Sequence, residues 1–297
     1  MPSKARKSAA AKPSTLKKVE SGIVAVDALA LNEWPVLNDY IKAVSEYVLK
    51  SPTLSLSSAK KAQIALSSGL GRALALDLAN AILKLRPDSK SQPAFVAGER
   101  DVAGALRTVR ADVSEAHELD GLRLAIEIKP VNLAVGRAIW NRFGDVRAFA
   151  VNIHLKFPFA VVGGVLVIPT FEWKAASKAE LELLASGTAN SVEGFAREVD
   201  EVAMEADEVA ALAAAAKKRP LVKVETLPLI DRLSKRLARI GRRRIESDPA
   251  HLLEALALIV YDPETSTIDS SMPAVGSGLR WDEFVTGLAE TYDLRFE

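Results

Sequence analysis

Arg110-Ala111-Asp112-Val113-Ser114-Glu115-Ala116-His117-Glu118-Leu119-Asp120-Gly121-Leu122-Arg123-Leu124-Ala125-Ile126-Glu127-Ile128-Lys129-Pro130 is the stretch on which the fold turns. Leu122, Leu124, Ile126 and Ile128 alternate with Arg123, Ala125, Glu127 and Lys129, the two-residue period of a strand. Asp120-Gly121 ahead of that strand is a favoured two-residue hairpin turn. A hairpin centred there sets Asp112 directly opposite Lys129 and diagonal to Glu127, with Cβ separations of about 5 and about 7 Å on one face. Two carboxylates so placed can share one cation. Asp120 would stand about 23 Å from Glu127 along an extended strand unless a bulge bent it back. Asp112 is therefore the expected ligand and Asp120 the turn residue.

Ala111-Asp112 followed by Glu127-Ile128-Lys129 resembles the PD-(D/E)xK motif of restriction-endonuclease-like nucleases, with a separation in that family's usual range. Ala111 stands where the family often has proline, a position that binds nothing. The resemblance extends through the following helix and strands to about Pro169. It implies an α/β fold: a restriction-endonuclease-like mixed β-sheet core flanked by helices, with mainly helical N-terminal and C-terminal additions. The activity it implies is that of a Mg²⁺-dependent type II restriction endonuclease hydrolysing double-stranded DNA at a specific sequence. A DNA repair or junction-resolving nuclease of the same fold is the alternative within that chemistry, and a non-catalytic DNA-binding protein the alternative outside it. A structural α/β protein with incidental hairpin charges is the remaining reading.

In the resemblance, Asp112, Glu127 and Lys129 are catalytic, and Asp112 and Glu127 hold Mg²⁺, a hard cation that keeps several of its waters. Lys129 contacts a phosphate oxygen, orients the attacking water and stabilises the charge that develops. Glu99 and Asp120 are the candidates for an additional acidic residue. Double-stranded DNA is the expected partner. A second copy of the chain is expected too, because a palindromic site is read by a two-fold protein. No nucleotide cofactor is expected, since no Walker or dinucleotide-binding pattern occurs.

With 297 residues, 49% of them hydrophobic and 26% charged, the chain can bury a sizeable core. The absence of cysteine rules out disulfides, thiolate metal sites and a cysteine nucleophile, and accords with a cytoplasmic location. Three histidines make a zinc centre improbable. Phe157 to Phe171, the longest uncharged run at 15 residues, is too short to span a bilayer and reads as a buried strand pair. No membrane association is expected, and the basic N-terminus lacks the apolar core of a secretion signal. Residues 1–20 read as a disordered basic tail and 21–297 as a single domain: helical over 21–93, a catalytic α/β core over 94–170, and a helical and mixed remainder over 171–297.

A net charge of +1 argues against nonspecific coating of nucleic acid, so local basic clusters matter more. Leu229, Ile230, Leu233, Leu237 and Ile240 form an apolar stripe at helical spacing. Arg232, Lys235, Arg236, Arg239, Arg242, Arg243 and Arg244 decorate the same segment; Arg236, Arg239 and Arg243 are its candidate DNA contacts. Arg137 and Asn141, four apart on the helix expected after Glu127, are further candidates.

The periodicity predicts a helix over 34–49, two more over 57–68 and 71–85, and a loop over 89–93. Asn132 is the expected N-cap of a helix running to Phe143, with Gly144 as its stop. Phe149, Val151, Ile153 and Leu155 then read as an alternating strand, on which His154 is expected to be structural. Val161–Ile168 reads as the next strand, and 175–218 as one or two long helices whose Glu201, Glu205 and Glu208 form a solvated face. A helix from Pro249 to Val260, a loop over 263–278 and a helix over 281–292 complete the expectation.

Overall fold

The computed structural model describes residues 37–51, 56–86, 93–132, 134–177 and 221–296. The elements in chain order are α1 (Leu37–Lys50), α2 (Leu56–Leu85), β1 (Val96–Ala103), β2 (Thr108–His117), β3 (Gly121–Pro130), α3 (Val135–His154), β4 (Val161–Pro169) and β5 (Phe171–Ala175). They are followed by β6 (Leu221–Glu225), α4 (Leu227–Ala238), β7 (Ala255–Asp262), β8 (Thr267–Ile268) and α5 (Trp281–Phe296). Six strands form one mixed sheet in the order β1-β2-β3-β4-β7-β8. Strands β1, β2 and β3 are antiparallel neighbours, β3, β4 and β7 run parallel, and β8 returns antiparallel on β7. β5 and β6 make a separate antiparallel ribbon. The fold is thus mixed α/β, a six-stranded sheet with helices on both faces.

Alternation along the strands explains the two cores. Val113, Ile126, Ile128, Val165 and Ile259 pack on one face beneath α1, α2 and α5. Ala125, Val162, Leu166 and Leu258 pack on the other beneath α3 and α4, through Ile139, Val146, Phe149, Ile230 and Leu233. β4 is buried at every position, the continuous apolar run expected of a central strand flanked by parallel neighbours. Among the described residues no helix is long and apolar enough to cross a membrane.

Several expectations are corrected. The helix predicted to stop at Gly144 and the strand predicted over 149–155 are one helix, α3, of 20 residues. Val135, Ile139, Phe143, Val146, Ala150 and Ile153 recur at three- and four-residue intervals along it, and all are buried. A parallel β3–β4 pair also requires a crossover, which a helix supplies. Gly144 lies on the exposed side of α3, where an added Cβ would meet nothing within 4 Å. Asn132 does not cap α3: it is buried and its Oδ1 accepts a hydrogen bond from the Tyr261 hydroxyl at 3.1 Å. Glu172 takes over at that helix end, its Oε2 accepting from the Val135 N–H at 2.5 Å.

Residues 57–85, expected as two helices, form the single helix α2, and Gly71 within it serves close packing. A Cβ there would lie 3.3 Å from the Asp112 carbonyl oxygen, so glycine lets α2 rest on β2 beside that residue. Of the helix predicted over 249–260, residues 249–254 are irregular and residues 255–260 belong to the strand β7, which pairs with β4. β1 is an addition to the expected elements. The uncharged run 157–171 does not pair with itself; β4 pairs with β3 and β7, and β5 with β6. The tail 1–20, the helices expected after 177 and Glu201, Glu205 and Glu208 lie outside the described residues.

Gly164 fixes the height at which α3 sits on the sheet. It stands opposite Glu127 in the β3–β4 register, and a Cβ on it would fall 2.4 Å from Val146 Cγ1 and 3.2 Å from Leu256 Cδ1. Gly164→Ala is expected to cost about 1–3 kcal/mol through overpacking. Urea denaturation checks this; an unchanged midpoint would mean that α3 has room to move.

Candidate active site

The β2–β3 hairpin carries the predicted residues in a register different from the expected one. His117 pairs with Gly121, so the loop is Glu118-Leu119-Asp120 and not the two-residue Asp120-Gly121 turn. Ala116 then pairs with Leu122 but Glu115 with Leu124, leaving Arg123 as an extra residue on β3. Val113 faces Ile126 in the last pair of the ladder, and in that register Asp112, just past its end, corresponds to Glu127 and not to Lys129. The difference of two residues preserves the face, because side chains alternate with a period of two. The bulge is what makes this work: continuing the Ala116–Leu122 register without it would set Asp112 against Ile126, a residue of the α1–α2 core.

Lys129 Nζ lies 2.5 Å from Glu127 Oε1, with the two side chains 26% and 11% exposed. Asp112 completes the group from β2: its Oδ2 accepts a hydrogen bond at 2.6 Å from the N–H of Ile128, the residue between the other two. A side-chain carboxylate here takes the place of a ladder acceptor. The sheet therefore brings Asp112, Glu127 and Lys129 together at the end of the β2–β3 pairing.

Burial raises the Asp112 carboxyl above its ordinary value, and Glu99 adds to this, against the opposing effects of the Ile128 N–H and Lys129. Burial likewise raises Glu127; Lys129 opposes the shift, and the negative charges of Asp112 and Asp145 reinforce it. Glu127 Oε2 is buried and has no hydrogen-bond partner. Two acids raised by burial, Glu127 further by the charge of Asp112 and presenting an unsatisfied oxygen, suit a hard divalent cation.

Glu99 stands on β1, half exposed, and pairs with Arg110 at 3.1 Å while acting on Asp112 through its charge. Asp120 does not join the group. It remains in the hairpin loop, bound to the Arg123 guanidinium and 3.3 Å from His117 Nδ1. Arg137 and Asn141 are exposed on α3, and Arg236 and Arg239 are exposed on and just after α4. The Arg236 guanidinium lies over the Trp140 ring, 4.8 Å from its centroid, so α4 runs beside α3 on the site's face of the sheet.

Arg243 is corrected as a DNA contact. It is 2% exposed, donates to the Pro158 and Glu246 carbonyls, and pairs with Glu254 at 3.2 Å. His154 is structural as expected, although on a helix: Nδ1 donates to the Ala250 carbonyl at 2.9 Å, and Nε2 lies 3.1 Å from Glu254.

Asp145 escapes the sequence reading because Gly144 resembles a helix stop; an Arg–x–x–Asp pair on a continued helix is the signal that could have found it. Compared with protein-family models, with curated proteins and with solved structures, the chain matches none of them.

Proposed function

We propose that this protein is a Mg²⁺-dependent endonuclease that hydrolyses phosphodiester bonds of double-stranded DNA. The observation that carries the reading is the convergence of Asp112, Glu127 and Lys129 at one point of the hairpin, with a buried Glu127 oxygen left unsatisfied. The connectivity supports a restriction-endonuclease-like core, since the hairpin feeds a helix that returns a strand parallel to β3. Type II restriction is the role that best accords with it, as a homodimer cutting both strands of a palindromic site.

Asp112 and Glu127 are the residues that would hold Mg²⁺. When bound there, it supplies charge neutralisation at the phosphate and an acidified water. Lys129 releases Glu127 to contact a phosphate oxygen, orients the attacking water and stabilises the pentavalent phosphorus centre as negative charge grows. Exposed Arg137, Asn141, Arg236 and Arg239 meet the duplex beside that point, where phosphate contacts set its register.

The test is incubation of purified protein with a long duplex of known sequence, with and without Mg²⁺. Discrete Mg²⁺-dependent fragments support a sequence-specific nuclease; intact DNA across several substrates sinks the reading. Asp112→Asn is expected to abolish the fragments. Asp120→Ala is expected to leave them unchanged and to shift stability by no more than about 1 kcal/mol, because its ion pair is partly exposed. Loss of cleavage in Asp120→Ala alone would show that the wrong acid has been assigned.

A further inference from the structure

The crossover helix α3 has two edges, and the contacts of each identify where it points. Trp140 on one edge meets Arg236 of α4. Asn152 lies on the other, and its Oδ1 accepts from the N–H groups of Leu106 and Arg107 in the β1–β2 turn at 3.2 and 3.1 Å. Asp145 precedes Asn152 by about two helical turns and shares its edge, turned toward β2 and the acidic group, and Arg142, paired with Asp145, lies about 60° further round the helix toward the sheet.

Their height follows from Gly164. Val146 is seated on Gly164, which stands opposite Glu127. Arg142, four residues earlier, is displaced by about 6 Å toward the N-terminus of α3. Lys129, two residues after Glu127, is displaced by about 6.6 Å along β3. Helix α3 runs antiparallel to β3 and β4, as a crossover must, so the two displacements have the same direction. Arg142 and Lys129 therefore stand level with one another, one on the helix and one on the sheet. Arg142 Nη1 is 2.9 Å from Asp145 Oδ2, and both side chains are nearly half exposed. Among the described residues, no three His, Asp or Glu side chains converge to hold a metal.

We propose that Arg142 is a second phosphate-binding cation of this site, paired with Lys129 across the acidic group, and that Asp145 is the positioning residue that aims its guanidinium. The inference rests on the nuclease reading and adds the helix to the substrate-binding surface. A planar guanidinium held on one edge by a carboxylate presents its remaining N–H groups in fixed directions, which suits the paired oxygens of a phosphodiester. Lysine at this position would supply the charge without the fork.

Duplex binding measured by fluorescence anisotropy in Ca²⁺ across a salt series, with cleavage in Mg²⁺ measured in parallel, tests the assignment. Arg142→Ala is expected to weaken binding about tenfold and to reduce the slope of log Kd against log salt by about one charge. Arg142→Lys is expected to restore the slope but only part of the affinity. Asp145→Asn is expected to keep the slope and lose cleavage through kcat, since the cation remains but is no longer aimed. A wild-type protein that binds and cleaves while Arg142→Ala has the same affinity and slope overturns the role of Arg142 alone. A wild-type protein that neither binds nor cleaves duplex DNA overturns this role together with the nuclease reading.

Discussion

Lys129→Ala is expected to lower Mg²⁺-dependent cleavage by about 100- to 1000-fold, the loss that follows when a preorganised donor to a developing oxyanion is removed. Lys129 is the group's only ammonium, and it lies 2.5 Å from one oxygen of a buried glutamate. It also opposes the upward shift that burial imposes on both acids, so its loss raises Asp112 and Glu127 further. The variant should consequently need a higher pH as well as reacting more slowly, because carboxyls that stay protonated bind no cation. Single-turnover cleavage from about pH 6 to about pH 9 reads both effects. If the hairpin charges were incidental, Lys129→Ala would match the wild-type protein throughout, and that result would remove the catalytic assignment.

Glu254→Ala is expected to cost about 3–5 kcal/mol of stability, because it strands buried cations without their counter-ion. The side chains of Glu254 and His154 are fully buried, and those of Arg243 and Arg295 nearly so. Glu254 Oε1 accepts from Arg243 at 3.2 Å and from Arg295 at 2.8 Å, and its Oε2 accepts from the Val162 N–H at 2.9 Å. The two arginines also hold the Pro158, Glu246 and Ala160 carbonyls. One carboxylate thus ties the end of α3, the start of β4, the segment before β7 and the end of α5.

Burial alone would raise the Glu254 carboxyl, but hydrogen bonding and charge from His154, then Arg295 and the Val162 N–H, outweigh it and hold the group below its ordinary value. A depressed folded-state value means that this stabilisation is complete above the unfolded value, near pH 4.5, and is lost as pH falls through the folded one. Urea unfolding should show the full deficit of Glu254→Ala near neutral pH, shrinking under more acidic conditions. A deficit below about 1 kcal/mol at neutral pH would mean that the cluster is no keystone.

Much of the site is legible in the sequence because it rests on one short-range pattern. Period-two alternation places Glu127 and Lys129 together, and the even parity of the register difference carries Asp112 to the same face although the loop is longer than the expected turn. Arg243 is illegible for a different reason. Its neighbours in sequence, Arg242 and Arg244, are arginines as well, and its partner Glu254 belongs to a segment whose pattern suggests a helix, so nothing local distinguishes it from them.

By itself, then, the sequence determined the hairpin, the central apolar strand β4 and the acid–acid–lysine set, since each depends on alternation within about ten residues. Only the tertiary structure decided that residues 144–154 continue a helix, because their apolar spacing suits either period and packing of Val146, Phe149 and Ile153 on the sheet selects one. It alone decided that 255–262 is a strand, since β4 offers it paired backbone groups over 255–261 and β8 adds two pairs at its end. The bulge at Arg123 and the buried Glu254 cluster were likewise beyond local reading. The bulge is set by how two strands pair, and the cluster joins His154 to Glu254, 100 positions apart, a distance that no window of sequence carries.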